Sequence, residues 1–177
     1  MIDKKMQDAL NNQINEEMFS SYLYLSMSAY FESKSLLGFA HWMKTQAQEE
    51  MLHTMKFYSY ILDRDGKVEL QALAAPKKEW TSVLNAFEEA LAHEEHITGC
   101  INDLMSVAIE VKDHATQNLL KWFVDEQVEE EATANEIVDK LRMIGDHGPM
   151  LLMQDKEMSQ RMVGPNPFFP PPPAAAQ

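Results

Sequence analysis

Apolar side chains recur along this chain every three, four and seven residues, the spacing that keeps one face of a helix dry. Leu10, Tyr24 and Phe31 share a row in the first such stretch, and Met43 and Phe57 share one in the second. Phe87, Ile101 and Ala108 line the third. Leu120, Ala134 and Leu141 line the fourth, beside Phe123, Ile137 and Ile144. The pattern predicts helices over about 3–33, 37–63, 82–112 and 114–144, with a shorter fifth over about 149–162. Ser33 to Gly38 is a short connection, so the first two helices should be antiparallel neighbours. Asp65-Gly66 ends the second helix. The stretch from Lys67 to Thr81, with Pro76 inside it, is long enough to cross the length of a bundle. Asp113 can cap the fourth helix, Gly145 can end it, Gly148-Pro149 can open the fifth and Gly164-Pro165 can stop it.

Polar residues interrupt these rows at one level. Glu17 falls between Leu10 and Tyr24, Glu50 between Met43 and Phe57, and Glu94 between Phe87 and Ile101. Gln127 falls between Leu120 and Ala134. Gln46, His53 and Tyr60 form the row beside Glu50, and Glu130 joins Phe123 and Ile137. The pattern is an echo: Glu17 precedes Glu50 by 33 residues, and Glu94 precedes Gln127 by the same interval, 77 residues further on. Glu50/His53 and Gln127/Glu130 are three apart, so each pair faces one way.

An ionised carboxylate on a core face costs several kcal/mol unless it is paired or coordinates a metal. Glu17, Glu50, Glu94 and Glu130 bring four such charges, and no Lys or Arg stands in these rows. Two divalent cations would neutralise them. A ligand set of oxygens with one imidazole suits iron or manganese and would accept zinc. The architecture that delivers such residues from four helices is all-α, two helical hairpins joined by one long crossover.

Composition narrows the setting. The chain has 177 residues, enough for one domain, and only 6 Gly against 13 Met. Residues 1–163 are read as that domain and 164–177 as a proline-rich tail, extended in character and passive. A formal net charge of −13 disfavours nucleic acid and anionic membranes and attracts cations. Cys100 is the single cysteine, which fits a reducing compartment. No basic segment followed by an apolar run opens the sequence, and no apolar run approaches the ~20 residues that span a bilayer. A cytoplasmic protein is expected.

Over residues 1–162 the sequence resembles the ferritin family, and within it the prokaryotic non-haem ferritins. NEEMFSSYLY, QAQEEMLH, EEALAHEEHI and WFVDEQVEEE stand where that family keeps its ferroxidase centre. The resemblance implies a ferritin-like four-helix bundle with a short fifth helix, assembled as a homo-oligomeric shell of 24 chains. It implies iron storage and a ferroxidase activity using O2 or H2O2 at two irons per subunit. Glu17, Glu50, His53 and Glu94 would serve the first iron and the bridge, and Glu94, Gln127 and Glu130 the second. Tyr24 would donate an electron, and Trp122 matches a family aromatic near the centre. Glu49, Glu126 and Glu129, with Glu130, resemble the third iron site of bacterial ferritins. Read without the resemblance, Glu126, Glu129 and Glu131 form a solvated acidic face.

Some positions depart from relatives of this type. The fourth-helix carboxylates that line three-fold pores in animal ferritins are replaced by Gln117 and Leu120. Met51 follows Glu50 as the haem-ligating methionine does in bacterioferritins, but Gln127-Val-Glu-Glu130 stands where those proteins carry a second Glu-x-x-His, so packing is its expected role. His41, His93, His96, His114 and His147 are expected at surfaces or interfaces, not as ligands. Four rivals remain. A rubrerythrin-like di-iron peroxidase would normally carry a cysteine-rich module, and a DNA-protecting mini-ferritin builds its site between subunits. The others are a haem-binding bacterioferritin and a metal-free helical scaffold.

Overall fold

The computed structural model describes residues 2–145 and 147–162. Among the described residues five helices form, in chain order α1 (Lys4–Ser33), α2 (Leu37–Asp63), α3 (Val83–Glu110), α4 (His114–Ile144) and α5 (Gly148–Met158). The predicted tail, 164–177, lies outside the described residues. No helix among the described residues is long and apolar enough to cross a membrane.

Local chemistry sets the helix ends. The Asp3 carboxylate accepts from the backbone of Lys5 and Met6, Ser82 Oγ accepts from Asn85, and Asp113 accepts from Thr116. The links after α1, α2 and α3 each turn through one residue of positive φ, Ser35, Asp65 and Lys112, and Gly145 (φ +53°) ends α4. The N-terminus of α2 has no capping side chain of its own. Asp155 of α5 supplies one, accepting from the backbone of Phe39 at 2.9 Å. This contact needs Gly38, because a Cβ there would fall 1.6 Å from the Asp155 carbonyl oxygen.

α1 packs against α2 and α3 against α4 as two hairpins, with α1 beside α3 and α5 across the ends of α2 and α4. The crossover from α2 to α3 runs the length of α1 and is fastened along it. Asn11 donates to the Lys67 carbonyl and accepts from Glu69, Gln71 donates to Asn12, Ser26 donates to the Lys77 carbonyl, and Tyr30 donates to that of Trp80. Side-chain partners from α1 thus stand in for the ladder that this extended segment lacks.

The core is divided. One apolar cluster holds Tyr24, Phe31, Phe39, Phe87 and Leu141; the other holds Leu10, Ile14, Phe57, Ile101 and Phe123. Phe57 and Phe123 stack with centroids 4.0 Å apart. The polar level of Glu17, Glu50, Glu94 and Gln127 lies between the clusters, as the heptad rows require.

One expectation needs correction. α5 ends at Met158, four residues before the predicted boundary. The chain beyond it is drawn back onto α2: the Arg161 carbonyl meets His41 Nε2 at 2.8 Å, and its guanidinium lies over Trp42 and pairs with Glu49. Leu120 is fully buried among Phe57, Ile101 and Phe123, as its place in the fourth-helix row requires, and Gln117 is half-buried with its amide on the Ala108 carbonyl.

Asp113 joins three elements. It caps α4 and receives both guanidinium nitrogens of Arg64, each at 3.1 Å. Burial pushes its carboxyl up, but the Arg64 and Thr116 hydrogen bonds outweigh that and hold it below the ordinary value of 3.8. Asp113→Ala should therefore destabilise the fold by about 1–2 kcal/mol at neutral pH. Because the folded value is depressed, this contribution is present above pH 3.8 and disappears as pH falls through the lowered folded value. Denaturant melts of the two proteins should differ at pH 7 and converge in acid; a constant difference contradicts the assignment.

Candidate metal centre

Glu17 is fully enclosed, and Glu50, His53, Glu94, Gln127 and Glu130 are all buried. Each projects from the middle of a long helix, where rigid backbone fixes its direction. His53 Nδ1 stands 3.3 Å from Glu50 Oε2 and 3.7 Å from Glu17 Oε2. One donor atom from each of these residues lies within 4.8 Å of the others. Glu17 Oε2, His53 Nδ1 and Gln46 Oε1 are buried with no hydrogen-bond partner. Buried polar atoms are nearly always satisfied, so the neighbouring orphans Glu17 Oε2 and His53 Nδ1 mark a place built for a ligand. Their character, carboxylate oxygen and imidazole nitrogen, fits a hard or borderline divalent cation.

The second half of the layer is arranged differently. Tyr24 donates from its phenol to Glu94. Gln127 Nε2 reaches the Glu94 carbonyl at 3.2 Å, Glu94 Oε2 at 3.4 Å and Thr98 Oγ1 at 3.3 Å. Glu130 turns toward α2, where Gln46 Nε2 donates 2.9 Å hydrogen bonds to both Glu130 Oε2 and Glu50 Oε1. His53, Glu126 and Glu130 make a further potential ligand cluster. His53 thus faces metal-ligating groups on two sides.

Electrostatics follow from crowding negative charge in a dry place. Burial, reinforced by the charges of Glu50 and Glu130, holds the Glu94 carboxyl well above its usual range. Burial and the Glu50 charge push Glu130 up to about 7. Burial also raises Glu17, by more than the nearby His53 imidazole and the Gln13 hydrogen bond lower it. Glu50 is pushed up by burial too, but the adjacent His53 imidazole and the Gln46 hydrogen bond carry it below the ordinary value. Burial acts downward on His53, and the closeness of the Glu17 and Glu50 carboxylates overcomes this and holds the imidazole well above its usual pKa. The Tyr24 phenol is held well above its usual value by burial and by the Glu94 and Glu50 charges, so it keeps the proton it donates.

The outlying acids meet in a pocket of about 340 Å³ lined by Glu49, Glu126, Glu129, Glu130, Trp42, Thr133 and Arg161. Glu129 is exposed and Glu126 half-buried. The spacing of the rows gave no hint of Arg161, which comes from beyond α5 and occupies Glu49. Trp122 stands edge-on to His53, 5.5 Å away, with the Lys56 ammonium over its ring. His93 does not reach the layer; its Nε2 meets Ser20 Oγ at 2.8 Å, and its ring packs edge-on against Tyr24.

Two participants were missed in the sequence. Gln13 donates to Glu17 Oε1 at 2.9 Å, and Gln46 bridges Glu50 and Glu130. Both are buried. Each stands four residues before its glutamate, and they are 33 residues apart, so the same echo contained them.

A family profile described as the ferritin-like domain matches residues 7–144. A bacterial non-heme ferritin from Bacteroides fragilis is 46% identical over 161 residues, 91% of this chain and 100% of that protein. One from Staphylococcus aureus is 40% identical over 91% of this chain and 97% of its own length. Among solved structures, an open-pore ferritin from the hyperthermophilic archaeon Archaeoglobus fulgidus superposes with a TM-score of 0.90 at 50% identity, covering 91% of this chain and 98% of that one. A closed form of the same archaeon's ferritin, engineered by site-directed mutagenesis, gives 0.92 at 49% identity over 93% and 100%.

Gln46 holds two carboxylates in place without being one itself. Gln46→Ala should weaken divalent-cation binding by about 10–100-fold, as loss of a ligand-orienting hydrogen bond does at other metal sites. Anaerobic calorimetric titration measures this, and unchanged affinity contradicts the bridging role.

Proposed function

This chain belongs to the ferritin family, and from that premise we propose that it stores iron, oxidising Fe(II) at the buried layer and holding the Fe(III) product inside a shell of its own copies. The observation that carries the reading is the convergence of partnerless Glu17 Oε2 and His53 Nδ1 on Glu50, sealed between two apolar clusters. In this reading Fe(II) is a substrate. The first ion takes Glu17, Glu50 and His53, Glu94 bridges, and the second ion takes Glu94, Gln127 and Glu130. Binding displaces protons from the carboxyls that burial has raised, Glu94 and Glu130 above all.

Carboxylates favour the higher charge of Fe(III), so the ligand set itself pulls the metal toward oxidation. Two Fe(II) ions give one electron each to O2, which takes up two protons and leaves as hydrogen peroxide; peroxide accepts two electrons from a second Fe(II) pair and two protons and becomes two waters. Pairing the electrons avoids free superoxide. In this reading Tyr24, hydrogen-bonded to Glu94, gives the electron that a missing second Fe(II) would have supplied. The apolar clusters above and below keep bulk water out of the layer.

Glu49, Glu126 and Glu129 form the proposed third position, on the side of the layer where Glu130 and His53 also present ligand atoms. Arg161 neutralises Glu49 while that position holds no cation, and must leave Glu49 when one arrives. The proposed ferritin domain is 1–163, with 164–177 as an appended tail. Exposed Met143, Met150, Leu152 and Met153 around α5 are apolar surface of the kind that subunit contacts cover, which supports an oligomer; we take it to be a 24-mer in the cytoplasm.

Replacing Glu50 and His53 together with Ala should abolish the fast phase of Fe(II) oxidation in stopped-flow absorbance while slow surface oxidation persists. A fast phase that survives unchanged places the chemistry elsewhere.

A further inference from the structure

Outside the layer, one other mixed group of ligand side chains converges among the described residues. Glu16 on α1 and His96 and Cys100 on α3 each offer a ligand atom, all within 4.8 Å of one another. Glu16 and Cys100 are half-buried and His96 is exposed. His96 and Cys100 are four apart, so they share a face of α3, and α1 brings Glu16 to that face. His96 Nε2 lies 3.2 Å from Glu16 Oε2 and 3.6 Å from Cys100 Sγ.

Hydrogen bonding leaves this group incomplete. A single ring nitrogen donates a proton or accepts one, but not both, so Nε2 cannot serve Glu16 and the Cys100 thiol together. One metal ion would serve all three. Bonds of about 2.3 Å to sulfur and 2.0–2.1 Å to nitrogen and oxygen, at tetrahedral angles, require S···N and N···O separations of about 3.6 and 3.3 Å. The protein already holds these atoms at 3.6 and 3.2 Å. Glu17 behind the site and Asp103 beside it add negative charge that Cys100 feels.

We propose that Glu16, His96 and Cys100 form a second, separate site for a borderline-soft divalent cation such as zinc or cobalt, with a fourth position open to water. A thiolate, an imidazole and a carboxylate are the donors zinc takes in tetrahedral sites. Cation binding replaces the Cys100 S–H bond by a sulfur–metal bond and sends the thiol proton to solvent, so affinity should rise with pH. The layer between the apolar clusters holds no sulfur ligand, which makes the two sites chemically distinguishable.

Anaerobic Co(II) titration of the full-length assembled protein tests this, because Cys100 is the single cysteine and any thiolate-to-cobalt charge-transfer band reports on it alone. The expected band saturates at one cobalt per chain. It should be absent in Cys100→Ser, need roughly 100-fold more cobalt in His96→Ala, and persist in the Glu50→Ala/His53→Ala protein. No band in the wild-type protein overturns the site. So does a band indifferent to His96→Ala, which marks a bare thiol, or one lost with Glu50 and His53.

Discussion

Four carboxylates share one level of a dry helical bundle, and the rest of the structure is organised around that cost. Taking a single unpaired carboxylate out of water costs several kcal/mol, and neighbours of the same sign increase the penalty. The protein meets it in three ways. The His53 imidazole stands between Glu17 and Glu50, whose carboxylates hold its pKa up. Gln13, Gln46, Gln127 and Tyr24 lend neutral donors. Glu94 and Glu130 are pushed toward the protonated state. None of these satisfies Glu17 Oε2 or His53 Nδ1, and that residue of unmet demand is what a cation would answer.

The two hairpins that deliver these groups are related but unequal. In the first, each glutamate has a glutamine one turn before it; in the second, Ala90 and Phe123 occupy the matching places. Glu17 and Glu50 are consequently held by their own helices, whereas Glu94 depends on Tyr24 and Gln127, and Glu130 depends on Gln46 from the other hairpin. Two metal positions built this way would have different ligand sets. Glu17 and Glu50 surround His53, whereas Glu130 presents a ligand atom toward Glu126 and lines the pocket that Arg161 enters.

Much of this was legible before the fold was known, because a helix spaces its faces so regularly. Glu17 between Leu10 and Tyr24, and Glu50 between Met43 and Phe57, could lie nowhere except in the core once those rows were helical. What escaped notice shares one physical reason: it depends on where elements meet in three dimensions. Arg161 belongs to no periodic row and reaches Glu49 only because the chain turns back after Met158. Glu16 is brought to His96 and Cys100 by the packing of α1 on α3. Gln13 and Gln46 are the exception, since their 33-residue spacing was visible and simply not used. Leu120, in a row with Gln127 and Ala134, is in the core as that row requires.

The central claim is that metal ions sit inside the four-helix layer, between the two apolar clusters. Crystals soaked anaerobically in Fe(II), with diffraction recorded on both sides of the iron absorption edge, locate the metal directly. The account predicts anomalous peaks enclosed by Glu17, Glu50 and His53 and, across Glu94, by Gln127 and Glu130. Iron found only on the acidic surface, with no peak in the bundle interior, would contradict it.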